Sequence, residues 1–118
     1  MDSKVMLETA FGLLAVTAVG GIVMAGMRFA GADRPPSWLA MLHGLLAGAG
    51  LTLLLYAGFA FGIPRLAWAG TGLLVLAALG GVYLNLNFHD KRLPLPKQVI
   101  IVHAVLAVVG FALIFLSI

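Results

Sequence analysis

The sequence predicts an all-α integral membrane protein, an up-down-up-down four-helix bundle built from two tandem two-helix repeats. Three observations predict it. Hydrophobic residues make up 63% of the 118 positions and charged residues only 9%, against roughly 25% charged in a soluble domain. Four continuous apolar runs, at about residues 5–27, 38–61, 66–86 and 99–118, each have the length that a bilayer core demands of a helix. The sequence also repeats itself at an offset of 60 positions.

Too few charges are present to satisfy a shell of water, so lipid is the expected solvent. The runs do not alternate between apolar and polar residues, which argues against barrel strands. The first run is not read as a cleaved leader, although Ala30-Gly31-Ala32 resembles a cleavage site. It is longer than the apolar region of about 7–15 residues typical of such leaders, and it has a counterpart later in the chain. The 118 residues are therefore read as one transmembrane domain, with repeat 1 over about 1–60 and repeat 2 over about 61–118.

In the first span, Gly12-Leu13-Leu14, Ala18 and Gly20-Gly21 recur in the third as Gly72-Leu73-Leu74, Ala78 and Gly80-Gly81. In the second span, Pro36, His43, Leu46, Ala47, Gly50 and Leu53 recur in the fourth as Pro96, His103, Leu106, Ala107, Gly110 and Leu113. Each unit adds two spans, so the halves run in the same sense about an axis along the membrane normal. Positions 43, 46, 47, 50 and 53 lie on one face of a helix. Small residues on that face suit close helix packing in lipid. Packing gives no reason to keep a histidine there.

The loops after the first and third spans carry Arg28, Arg34, Lys91, Arg92 and Lys97, five of the seven basic residues. Lys4 and Arg65 mark the opposite side. By the positive-inside rule these loops are cytoplasmic and both termini lie outside, the expected setting being a bacterial inner membrane. Trp38 and Trp68 fall near span ends, where interfacial aromatics gather.

His43 stands six residues beyond Ser37, roughly 9 Å along a helix. His103 stands six beyond Lys97, at matching depth. Gly20-Gly21 and Gly80-Gly81 fall in the same layer. Short loops favour sequential neighbours in the bundle, which places the second and fourth spans on a diagonal of roughly 13 Å. That gap is too wide for the two imidazoles to touch, but it suits a flat metal macrocycle between them. Glycines on the first and third spans would leave room for its edges.

This arrangement resembles the bis-histidine membrane cytochromes b: four spans, histidines on the second and fourth, and facing glycines. The resemblance implies one haem b with His43 and His103 as axial ligands, and Gly20, Gly21, Gly80 and Gly81 around the ring. It also implies Arg28, Arg34, Arg92, Lys97 and the neighbouring Lys91 and His89 as partners for the anionic propionates. Many cytochromes of this type hold two haems on four histidines; only one intramembrane pair is present here. The implied activity is electron transfer with a quinol or a protein partner at the cytoplasmic face, alone, as a homo-oligomer, or as the membrane subunit of a quinone-linked oxidoreductase.

Other readings stay open. The histidines could be a hydrogen-bonded structural pair, a proton relay, a quinone contact or ligands of another metal. Copper suits imidazole and thioether, and Met24, Met27 and Met41 lie near the same surface. Their repeat partners are Leu84, Asn87 and Ile101, so there is no symmetric methionine cage. Tyr83, Asn85, Asn87 and His89 form a polar patch, either an ordinary interfacial helix end or an edge for propionates or a quinone. Glu8 is too shallow for the deep carboxylate of small multidrug exporters. A haem-free scaffold or small-solute carrier is the main alternative. The absence of cysteine excludes disulfides, iron–sulfur clusters and thiolate metal sites. No catalytic triad, carboxylate pair, phosphate loop or nucleic-acid surface can be read from the chain.

Overall fold

The computed structural model describes residues 2–118 and is all-helical among them. Four helices follow in order: α1 (Ser3–Phe29), α2 (Ser37–Ala60), α3 (Arg65–Leu84) and α4 (Lys97–Phe115). Each is long and apolar enough to cross a membrane, counting α3 together with a short π-helical turn that follows it, Asn85–His89. The third span therefore does not end as a plain α-helix near 86; its winding widens at Asn85.

Prolines set three of the four starts. Pro36, Pro64 and Pro96 stand immediately before α2, α3 and α4, each with φ between −57° and −69°. The ring fixes that angle and lacks an N–H, so a proline serves where a helix begins and not within one. α1 begins instead on Asp2, whose carboxylate accepts the Val5 N–H at 2.9 Å. After α2 the chain turns through Gly62, at φ +86°, a left-handed conformation that suits a residue without a Cβ.

α1 packs chiefly on α2, and α3 chiefly on α4. The two hairpins meet through α1–α4 and α2–α3, leaving α1–α3 and α2–α4 as diagonals. The tightest packing lies in the half that holds the chain termini and the α2–α3 turn. There Leu7, Ala10, Leu14, Leu54, Ala67, Leu74 and Ile114 form one buried cluster. Phe11 stacks on Phe111 at 4.7 Å between centroids, closing the α1–α4 seam. Trp68 lies over Gly58, where a Cβ would stand 2.6 Å from the indole, closing the α2–α3 seam.

Contacts recur at the 60-residue offset. Gly50 lies against Leu14, and Gly110 against Leu74. Burial along 12–23 matches burial along 72–83 residue for residue. The opposite half of the bundle is packed more loosely. Its buried cluster is only Leu84, Leu95 and Ile100, and a cavity of about 560 Å³ occupies its interior.

The loops at that end are tied together. Leu95 N–H donates to the Asp33 carbonyl at 3.0 Å. Arg28 Nε donates to the Leu95 carbonyl at 2.9 Å, and Arg34 Nη1 to the Arg92 carbonyl at 3.1 Å. The His89 ring bonds the Pro35 carbonyl at 2.9 Å. These four bonds join the hairpins where side-chain packing is sparse.

Candidate functional site

The histidines of α2 and α4 are each held by the helix beside them. His43 Nδ1 lies 2.9 Å from the Thr17 carbonyl of α1, and His103 Nδ1 lies 2.6 Å from the Ala77 carbonyl of α3. A carbonyl only accepts, so Nδ1 carries the proton and donates in both cases. The neutral imidazole then keeps its free lone pair on Nε2. An outer hydrogen bond of this kind fixes the tautomer and the ring angle of a metal-binding histidine.

The glycines explain how the rings reach those carbonyls. A Cβ on Gly21 would stand 3.0 Å from His43 Cε1, and one on Gly81 would stand 3.3 Å from His103 Cε1. Gly20 and Gly80 also face the rings: a Cβ on either would stand 3.8 or 3.7 Å from the Nδ1 of His43 or His103. These four glycines thus receive the imidazoles, each pair on its own hairpin. The space expected from them at the edges of a macrocycle goes to the histidine rings, although Gly21 and Gly81 also border the cavity.

Across the bundle the two imidazoles face each other with centroids 6.3 Å apart and planes at 69°. The side chains reach inward from the diagonal helices and close much of the gap expected from the helix axes. Two imidazoles bonded to opposite sides of one metal at about 2.0–2.1 Å would have centroids roughly 6 Å apart. Both rings line the cavity, whose volume falls within the range of roughly 300–1,000 Å³ usual for small-molecule sites. Among the described residues no third His, Cys, Asp or Glu joins them as a metal-holding group. The protein donor set is two imidazole nitrogens, which fits a metal whose remaining ligands arrive with it, as in a macrocycle.

The basic residues do other work. Arg28 and Arg34 bind loop carbonyls, Arg28 also reaching Ala32 O at 3.4 Å. Lys97 lies over the Phe29 ring at 5.6 Å. Arg92 takes a left-handed backbone conformation, φ 58°, in the turn that follows the helical segment. None of these four borders the cavity; His89, Asn85 and Pro35 do. The polar patch at the end of the third span divides accordingly: Asn85 and His89 meet the cavity, while Tyr83 packs on Phe88.

The cavity is lopsided in a way that the repeat does not predict. It is bordered along α2 by Gly44 and Gly48 and along α3 by Val82 and Leu86. The positions 60 residues later on α4 hold Ala104 and Val108, and the seam between α1 and α4 is filled by Ala25 and Ile100. Gly44 and Gly48 are two of many differences between α2 and α4, visible in the sequence but without meaning until a cavity lay beside them.

No protein-family model, curated protein or solved structure matches this chain.

Proposed function

We propose that the protein is a small integral membrane cytochrome b that carries one haem between α2 and α4, with His43 and His103 as axial ligands. The observation that carries this reading is the pair of facing imidazoles, 6.3 Å apart and each fixed at Nδ1 by a main-chain carbonyl. A purely structural histidine would need only its carbonyl bond. Here both Nε2 atoms lack a hydrogen-bond partner and, not being buried, are open to the cavity that the rings line; an ionisable residue within an apolar span marks function.

In this reading the chain is a tandem duplication of one hairpin, and each copy supplies one ligand and the glycine pair that seats it. Bis-histidine haem iron has no open coordination position, so when bound the group supplies electron transfer, with a potential tuned by its ligands and surroundings. The protein's part is to hold both imidazoles in one tautomer, keep water from the core, and place the site nearer one membrane face. The donor or acceptor is a quinol or a partner protein on the side of the α1–α2 and α3–α4 loops. Five of seven basic residues lie on that side, which supports a cytoplasmic placement. A place in a larger membrane assembly or a homo-oligomer suits so small a chain.

The absorption spectrum of the purified protein tests this. Reduced bis-histidine haem gives sharp α and β bands, and His43→Ala or His103→Ala removes them. A colourless wild-type protein, or full haem in either variant, refutes the assignment. A second reading, a copper site, is favoured by Met24 and Met41, which also border the cavity; elemental analysis separates the two.

A further inference from the structure

The two halves of the bundle match closely, yet the cavity opens on one side only. Gly44 and Gly48 have nothing within 4 Å of where a Cβ would stand. Both are exposed, and both border the cavity that contains the two imidazoles. The cavity thus has an exposed border formed by Gly44 and Gly48 of α2 with Val82 and Leu86 nearby on the third helical segment. On α4, Ala104 and Val108 fill the corresponding positions.

The second departure from the repeat falls at the same cavity. α1 remains α-helical to Phe29, whereas α3 widens into the π-helical turn Asn85–His89. Such a turn is often found at functional sites. It brings His89 and Asn85 to the cavity wall. His89 Nε2 lies 2.9 Å from the Pro35 carbonyl, so that nitrogen donates. Its Nδ1 has no hydrogen-bond partner among the described residues. A carboxyl group reaching Nδ1 is satisfied in either proton position: its O–H donates to the ring, or, with the proton moved, its oxygen accepts from the ring. The arginines and Lys97 border no part of this space.

Resting on the haem reading above, we infer that the macrocycle lies off centre in the bundle, with an apolar edge in the slot at Gly44 and Gly48 and its carboxylate edge at His89 and Asn85. One orientation is thereby selected out of the two that a symmetric pair of histidines would allow. The slot also gives the ring a lateral route from the bilayer.

The test is a binding titration of the full-length apoprotein in detergent micelles, followed by absorbance. Iron mesoporphyrin and its dimethyl ester are the probes, with wild type, His89→Ala, Gly48→Ala and Gly48→Val as proteins. His89→Ala should weaken iron mesoporphyrin by about tenfold, the scale of one hydrogen bond to a charged group, and leave the dimethyl ester unchanged. The same variant serves both arms, so a folding defect cannot imitate the difference. Gly48→Ala and Gly48→Val should weaken both probes in rising order of side-chain volume, at unchanged helix content. Equal losses of both probes in His89→Ala, or unchanged binding in Gly48→Val, overturn the inference. So does a Gly48→Val protein that keeps its porphyrin but loses self-association, because the slot would then belong to a second copy of the chain. If wild type binds neither probe, or binds them as well in His43→Ala, the cytochrome reading itself has failed.

Discussion

Gly21 and the imidazole of His43 occupy one another's space: a Cβ at position 21 would stand 3.0 Å from Cε1. The ring lies in this groove because the Thr17 carbonyl, which binds its Nδ1 at 2.9 Å, sits one turn back on the same helix face. The same relation holds between Gly81, His103 and Ala77, with a slightly wider 3.3 Å approach.

Gly21→Ala should therefore push the His43 ring off its carbonyl and cost about 1–3 kcal/mol, the usual penalty of overpacking. Gly81→Ala should cost less, since the neighbour has a few tenths of an ångström more room. Thermal unfolding in detergent would give the order; on the cytochrome reading, haem content should fall in the same order. Equal stability of Gly21→Ala and wild type would mean that the ring is not anchored where described.

The two hairpins also differ in how closely their backbones approach. A Cβ on Gly70 would stand 2.7 Å from the Gly110 carbonyl oxygen, and a Cβ on Gly110 would stand 2.9 Å from the Gly70 oxygen. Backbone cannot step aside as a side chain can. In the first hairpin the position matching Gly70 is already Ala10. A Cβ on Gly50 would meet mainly the Leu14 side chain at 2.8 Å, with the Ala10 oxygen at 3.6 Å. Gly70→Ala should accordingly be the more damaging substitution, forcing α3 and α4 apart, while Gly50→Ala is absorbed in part by a new Leu14 rotamer. Small residues let membrane helices approach and gain packing energy, so the difference should appear directly in unfolding by a denaturing detergent.

Much of this was legible in the sequence because lipid imposes a simple code. Continuous apolar runs gave the four helices to within a few residues, and the 60-residue echo singled out His43 and His103, whose rings face each other. The glycine pairs were found by the same echo, but not the neighbour that they receive. A glycine in a span signals close approach without saying what approaches, and here it is the neighbouring imidazole. The arginines are ambiguous for a related reason. Positive charge at a membrane surface suits a propionate, but it equally suits a loop carbonyl, and Arg28 and Arg34 have found those. The π-helical turn left no sequence signal; it ends on His89, whose ring bonds Pro35, 54 positions away in the chain.

Arg28 offers a test of the loop ties. Its Nε reaches the Leu95 carbonyl, 67 positions away, while a terminal nitrogen reaches Ala32 on its own loop. Arg28→Met keeps much of the stem and removes both bonds. It should cost about 1–2 kcal/mol, within the range for bonds from a charged donor. Arg28→Lys should rescue little, because an ammonium cannot reproduce the planar fork. Backbone hydrogen exchange should quicken in both loops together, at residues 30–36 and 90–96. Faster exchange confined to 30–36 would show that the hairpins are not joined there.

The membrane orientation can be tested cleanly because the chain contains no cysteine. Ala32 and Ala60 are exposed and lie at opposite ends of the bundle, beside the α1–α2 and α2–α3 turns. In intact cells a membrane-impermeant maleimide should label Ala60→Cys and spare Ala32→Cys until the inner face is opened. The reason is the charge distribution. Arg28, Arg34, Lys91, Arg92 and Lys97 border one set of turns, and only Lys4 and Arg65 lie at the other; basic loops this short are retained on the cytoplasmic side. Adding lysines near the α2–α3 turn while neutralising Lys91 and Lys97 should shift part of the population to the reverse labelling pattern. Labelling of Ala32→Cys in intact cells would place the loops, and the two histidines near them, at the outer face, and the electron partner that the cytochrome reading requires would then have to be sought there.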